Sequence, residues 1–134
     1  MNIIFIDDEP YRHELATDYL AEDHNLIHAT TFEEAMECFK LNPAVDLALF
    51  DHDLGNYIDN GDVSVLRKNG STLASELLNT LPEEHFPKRV IVHSMNFNGA
   101  SNIYSKFYSA KVPVEIRMFS NDMLMELVEE LKDK

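Results

Sequence analysis

Cysteine, basic side chains and long apolar runs are all scarce in this chain of 134 residues. The single cysteine, Cys38, excludes a disulfide framework and fits a reducing compartment, and its place inside a helical pattern gives no case for a nucleophile. Lys and Arg number 11 against 24 Asp and Glu, for a formal net charge of −13. That balance opposes any binding that works by neutralising many phosphates, so no extended nucleic-acid binding is expected. The surplus of acids serves solubility first. A small anion, or one nucleic-acid end held by a metal and a few local donors, stays open. No apolar run approaches membrane length, and the N-terminus lacks a basic region followed by an apolar core and a cleavage site. A soluble, cytoplasmic protein without a membrane partner is expected, with its oligomeric state undetermined. Internal repeats and low-complexity segments are absent, and 45% hydrophobic residues suit one domain over 1–134.

What is present is a set of short apolar runs that close on polar residues. Ile3 to Ile6 runs into Asp7 and Asp8; Val45 to Phe50 runs into Asp51-His52-Asp53-Leu54-Gly55; Arg89 to Val92 runs into His93 and Ser94. Such runs read as buried parallel strands. Further strands are expected over 25–30 and 112–118. Helices are expected from Pro10 to about Ala21, behind a Thr31/Glu34 capping box and ending before Asn42-Pro43, from a Ser71 cap with Leu73, Leu77, Leu78 and Leu81, from Asn98 or Ser101 with Ile103, Phe107 and Tyr108 on one side, and from a Ser120 cap with the stripe Met123, Leu124, Leu127, Val128 and Leu131. Strands alternating with helices predict an α/β fold: one doubly wound five-stranded parallel sheet of flavodoxin-like order 2-1-3-4-5. In that order Asp7, Asp8 and Asp51 are neighbours at the carboxyl edge, where open sheets bind ligands.

Clustered carboxylates repel, and a divalent ion resolves the conflict. Oxygen-only ligands favour Mg2+, Mn2+ or Ca2+ over zinc. Helix and turn capping by the same acids is the alternative reading. His52 and His93 end adjacent strands, so a positioned pair is expected to act as general base and general acid on a phosphoester. The remaining histidines, His13, His24, His28 and His85, read as structural or surface residues. Ser94, Asn96, Asn98 and Gly99, leading into a helix, offer donors to an anion. The long segment 56–69, with Tyr57, Val63, Val65 and Leu66 to pack with, reads as a lid.

At these residues the chain resembles the receiver domain of response regulators (CheY-like) over nearly its whole length. The resemblance implies Mg2+ (or Mn2+) on Asp8 and Asp51, helped by Asp7 through water and by the main-chain carbonyl of Asp53, with Ser94 on a phosphoryl oxygen. Receivers carry a lysine at the end of strand five; here Ile116-Arg117-Met118-Phe119 stands there, so Arg117 is the expected phosphate contact, although its planar fork does not copy an ammonium. The motifs Asp51-His52-Asp53-Leu54-Gly55 and His93-Ser94-Met95-Asn96 with Gly99-Ala100 resemble one offshoot, the cyclic-phosphate-processing receiver domains. That resemblance implies a metal-dependent phosphoesterase acting on a small cyclic phosphate of a nucleotide or an RNA terminus, in a bacterial or phage setting of RNA repair. The family often has an Arg just after the acidic pair, which makes Arg12 a further candidate contact. The expected set is catalytic Asp51, His52 and His93, phosphate-binding Ser94, Asn96 and Arg117, and metal-binding Asp7, Asp8, Asp51 and Asp53. Competing readings are a receiver-like phosphoacceptor, a phosphate-responsive regulatory module without turnover, and an acidic edge that docks a basic partner.

Overall fold

The computed structural model describes residues 1–54 and 68–132. Strands β1 (Asn2–Ile6), β2 (Asn25–Ala29), β3 (Leu47–Phe50), β4 (Val90–Val92) and β5 (Val114–Ile116) alternate with helices α1 (Pro10–Leu20), α2 (Phe32–Leu41), α3 (Gly70–Thr80), α4 (Phe97–Ser109) and α5 (Asn121–Lys132); a 3-10 turn, Glu83–His85, precedes β4. Every strand pair is parallel and the order is β2-β1-β3-β4-β5, the doubly wound sheet expected from the sequence.

Strand alternation sorts the core into two layers. Ile4, Ile6, Ala48, Phe50, Val90 and Val92 face one side, where Phe39 of α2, Leu73 and Leu77 of α3 and Phe107 of α4 complete the packing. Ile3, Phe5, Leu47, Leu49 and Ile91 face the other side, against Ala16 and Leu20 of α1 and Leu124 and Leu127 of α5. Because helices cover both faces, β3 and β4 are apolar at every position, which is why their runs are continuous. Among the described residues, no helix is long and apolar enough to cross a membrane.

Several boundaries differ from expectation. The strand expected over 45–51 is regular only at Leu47–Phe50, and that over 112–118 only at Val114–Ile116. Helix α3 is capped by Asn69, not Ser71: Asn69 and Thr72 form a reciprocal capping box, and Ser71 lies buried in the first turn. Helix α4 starts at Phe97, capped by Asn96, whose Oδ1 accepts from the Gly99 amide at 3.0 Å. Asparagine caps as well as serine does, so the first Asn of each polar run took the role. Tyr108 is exposed and stacks on Tyr104. The Ser120 cap and the α5 stripe match expectation. Thr31 accepts from the Glu34 amide at 3.1 Å, while the Glu34 carboxylate receives the Thr30 amide at 2.9 Å. Gly55 and the expected lid, apart from Lys68 and Asn69, lie outside the described residues; Lys68 pairs with Glu33.

Candidate functional site

Register builds the site. Ile6 pairs with Phe50 and Phe50 with Val92, so the next residues, Asp7, Asp51 and His93, line up across three strand ends on the side of α1 and α5. The ladder continues one step past the strands: the Asp51 amide donates to the Ile6 carbonyl at 3.1 Å, and the His93 amide to the Phe50 carbonyl at 2.9 Å. The three side chains are 0%, 3% and 0% exposed, and one ligand atom from each lies within 4.8 Å of the others. Asp8, one residue out of phase with Asp7, is half-buried and outside that trio.

Asp7 is the most heavily tied of the three. Its Oδ1 accepts from the Glu9 amide at 2.9 Å, and its Oδ2 accepts from His93 Nε2 at 2.9 Å and from Arg12 Nη1 at 3.2 Å. Burial pushes its carboxyl up, but the hydrogen bond and charge of His93, the Glu9 amide and the Arg12 guanidinium outweigh it and hold the group below the usual carboxylate range. Burial holds His93 below the usual imidazole range, against the pull of Asp7. We therefore take the pair as an ionised Asp7 receiving Nε2–H from a neutral His93. The imidazole stacks on Phe5, centroids 5.1 Å apart, and its Nδ1 is buried without a partner among the described residues.

Asp51 has the opposite balance. Burial first, then the nearby charge of Asp7, with smaller pushes from Asp8 and Asp53, raises its carboxyl to about 7 against the pull of Arg12. Arg12 Nη1 stands 4.0 Å from Asp51 Oδ2, and its guanidinium lies over the Phe119 ring at 5.5 Å. The cation facing the carboxylates thus comes from α1.

His52 takes the other side of the sheet edge. Its Nδ1 lies 2.9 Å from Asp53 Oδ1 and 3.2 Å from Asn96 Nδ2, and its amide donates to Asp51 Oδ1 at 2.9 Å. Two glycines make room for this turn. A Cβ at Gly99 would run into the His52 ring, and one at Gly70 would strike the Asp51 carbonyl oxygen and the His52 backbone; the Gly70 amide donates to the His52 carbonyl at 2.7 Å. Ser94 is 3% exposed and its Oγ accepts from the Asn96 amide at 3.1 Å.

The expected residues therefore divide. Asp7, Asp51 and His93 come together; Asp53, His52 and Asn96 form a second group beside them. His52 and His93 do not converge as a pair, because consecutive strand-end residues point to opposite faces. Arg117 belongs to neither group. Its Nε and Nη2 donate to Glu115 at 3.0 and 3.3 Å, its Nη1 and Nη2 donate to Glu130 at 2.8 and 2.7 Å, and these partners drive its pKa up. Carboxylates of β5 and α5 thus occupy the guanidinium that was expected to contact phosphate. Reading the sequence missed Arg12 as the carboxylates' own cation and Gly99 as the seat of His52. A basic residue five positions after Asp7 on α1 was the available signal for the first, and a glycine at the third position of a capped helix for the second.

A family model described as the cyclic-phosphate processing Receiver domain matches residues 2–109. Solved structures that resemble the chain include NtrX from Brucella abortus in complex with ADP, at 20% identity and TM-score 0.65, covering 98% of this chain and 27% of that one. The chain thus spans about a quarter of that relative. The receiver domain of the same NtrX matches at 21% identity and TM-score 0.65, over 98% of both chains. A CheY-like response regulator receiver domain protein from Methanospirillum hungatei JF-1 matches at 17% identity and TM-score 0.65, over 98% of this chain and 93% of that one. At such identities these likenesses carry the fold. No curated protein matches the chain.

Proposed function

Because the chain belongs to the cyclic-phosphate processing receiver domain family, we propose that it is a cytoplasmic, divalent-metal-dependent enzyme that hydrolyses the cyclic phosphate of a nucleotide or an RNA end at the Asp51 pocket. The observation that carries this reading is the arrangement of cations. Arg117, at the end of β5, is occupied by Glu115 and Glu130, while Arg12 faces Asp7 and Asp51 from α1. A receiver that conserves a phosphoryl group on strand three uses a cation from strand five, and here that cation is engaged elsewhere.

The donor set fits Mg2+ or Mn2+. Two carboxylates suffice for Mg2+, which keeps water or phosphate in the rest of its shell, and an Asp51 carboxyl raised to about 7 beside Asp7 marks a surplus of negative charge that a divalent ion would offset. Asp7 and Asp51 would hold the ion, with Asp8 and Asp53 as outer acids. When bound, it supplies polarisation of the phosphoryl oxygen.

The protein's own groups do the rest. His93 fixes Asp7, and Arg12 offers its fork to a phosphoryl oxygen in place of Arg117. Asp53 receives Nδ1–H of His52, which leaves Nε2 as the basic nitrogen of the neutral ring. His52 takes a proton as water forms its bond to phosphorus, then returns it to the ribose oxygen as the ring P–O bond breaks. Ser94, whose oxygen already accepts from Asn96, keeps its hydrogen for the phosphate. Met95 and Phe97, 65% and 77% exposed where the chain enters α4, offer a base an apolar platform.

The test is incubation with Mg2+ or Mn2+ and a panel of 2′,3′-cyclic nucleotides, RNA ends bearing cyclic phosphate, and acetyl phosphate. We expect ring opening that Asp51→Asn abolishes. Stable labelling by acetyl phosphate, with no cyclic substrate consumed, would instead establish a phosphoacceptor.

A further inference from the structure

A second set of chemistry-bearing side chains lies apart from the acidic trio. His13 on α1 and His28 on the edge strand β2 place their Nδ1 atoms 2.7 Å apart. Register seats His28 beside Phe5, and the His13 ring stands edge-on to the same Phe5, with centroids 4.8 Å apart, so both imidazoles are held at one height on the sheet.

The outer nitrogens fix what the inner ones are. His13 Nε2 is 2.7 Å from the Asp7 main-chain carbonyl. A carbonyl only accepts, so Nε2 carries the hydrogen, and Nδ1 of the neutral ring is a lone pair. Thr17 Oγ1 donates its hydrogen to the His13 carbonyl at 2.8 Å and lies 3.3 Å from His28 Nε2, where its oxygen can accept whenever that nitrogen carries the hydrogen. Both rings are therefore oriented with Nδ1 inward, and a neutral His28 donates Nδ1–H to the lone pair of His13. One hydrogen between the two Nδ1 atoms satisfies the contact, and a metal ion in its place would do the same once His28 carries its hydrogen on Nε2, toward Thr17. Imidazoles whose far N–H is pinned by a main-chain carbonyl or a hydroxyl are arranged as metal ligands usually are. The pair opens into a cleft of about 480 Å³ that Glu14 and Asp18 also line.

We propose that His13 and His28 form a separate binding site for a borderline divalent transition ion, Zn2+ in the first place, which takes the place of the hydrogen between the rings as His28 shifts its N–H to Nε2, and which completes its shell with water. Imidazole nitrogens select Zn2+, Ni2+ and Cu2+ over Mg2+, so this site and the carboxylate pocket sort ions by donor type. Tetrahedral Zn–N bonds of about 2.0–2.1 Å place two nitrogens about 3.3 Å apart. The two nitrogens need to separate by about 0.6 Å from their present 2.7 Å and the rings to tilt so that both lone pairs meet the ion, a movement that the exposed His28 on an edge strand can make. The ion would tie α1 to β2 next to the backbone of Asp7.

The test is a Zn2+ titration of the full chain in excess Mg2+, read by calorimetry, with Cu2+ electron paramagnetic resonance to count nitrogen ligands. One Zn2+ per chain is expected, with a two-nitrogen Cu2+ signal. His28→Gln, an exposed position that leaves the core alone, should weaken Zn2+ binding by more than about 100-fold, and Thr17→Val by about tenfold. Asp51→Asn and His24→Gln should leave it unchanged; His24 is the control because its Nδ1 lies 3.4 Å from the N-terminal amine, another nitrogen pair. Unchanged affinity in His28→Gln, loss in Asp51→Asn or His24→Gln, or no saturable binding by the unsubstituted chain would each overturn the site. None of these readings depends on turnover.

Discussion

His52 and His93 leave strands that lie side by side and each holds an aspartate, yet they sit on opposite faces of the sheet edge and differ in burial. His93 is fully buried, stacked on Phe5 and bonded to Asp7; His52 rests on Gly99 at the turn into α4 and holds Asp53. One imidazole is built into the frame that orients a carboxylate, while the other lies at the turn into α4 with 15% of its side chain exposed. A motif that places two histidines at one sheet edge therefore does not by itself bring their rings together. The difference comes from a single residue of phase along β-strands.

The sharpest way to break that contrast is to remove the buried partner. His93→Ala leaves Asp7 ionised, enclosed and short of its imidazole donor, and opens a void against Phe5. The expected loss is about 3–5 kcal/mol of stability, read from the urea midpoint. A loss below about 1 kcal/mol would mean that His93 does not anchor Asp7.

Asp51 offers a test with a worked sign. Its folded-state pKa of about 7 lies above the ordinary 3.8, so the metal-free fold favours the protonated form. That contribution is complete below about 3.8 and is lost as pH rises through about 7. With metal chelated, the protein should lose about 2–4 kcal/mol between pH 4 and pH 8 from this group, a loss that Asp51→Asn removes and that Mg2+ at pH 8 reverses. An equal pH slope in the Asn variant would show that Asp51 ionises freely.

On the reactive side, His52→Ala should lower turnover by about 100-fold while changing stability by less than about 1 kcal/mol. Gly99→Ala, whose Cβ runs into the His52 ring, should reproduce that loss of turnover with the imidazole still present. Full activity in Gly99→Ala would separate ring position from reaction.

The architecture was readable because strands buried on both faces are unbroken apolar runs and each run closes on polar residues. Leu47–Phe50 and Val90–Val92 announce themselves as strands, and their order follows from right-handed crossovers. The same all-apolar character hides the register. Had β4 slipped one residue against β3, His93 would have aligned with His52 and Asp51 with Val92; nothing in two runs without polar alternation reveals which pairing holds. Hence Asp51 and His93 were legible as edge residues, but their union with Asp7, and not with His52, was not. Arg12 was a candidate phosphate contact in the sequence, but its pairing with Asp7 and Asp51 was not legible, because which way a helix turns a residue depends on packing against Phe119, far off in sequence.

Arg117 is the smallest and most discriminating case. Its sequence position at the end of β5 makes it the natural substitute for a receiver lysine, whereas its four hydrogen bonds to Glu115 and Glu130 make it a clasp between β5 and α5. The residue is partly exposed, so its ion pairs are screened, and Arg117→Ala should cost about 1 kcal/mol or less. Turnover should stay within about twofold, since the guanidinium facing the carboxylates is that of Arg12. Arg12→Ala should raise KM for a cyclic substrate by about tenfold or more, the worth of one charge-assisted contact. If the two variants exchange these effects, the phosphate is held from β5, and the site works as a receiver with an arginine in the lysine's place.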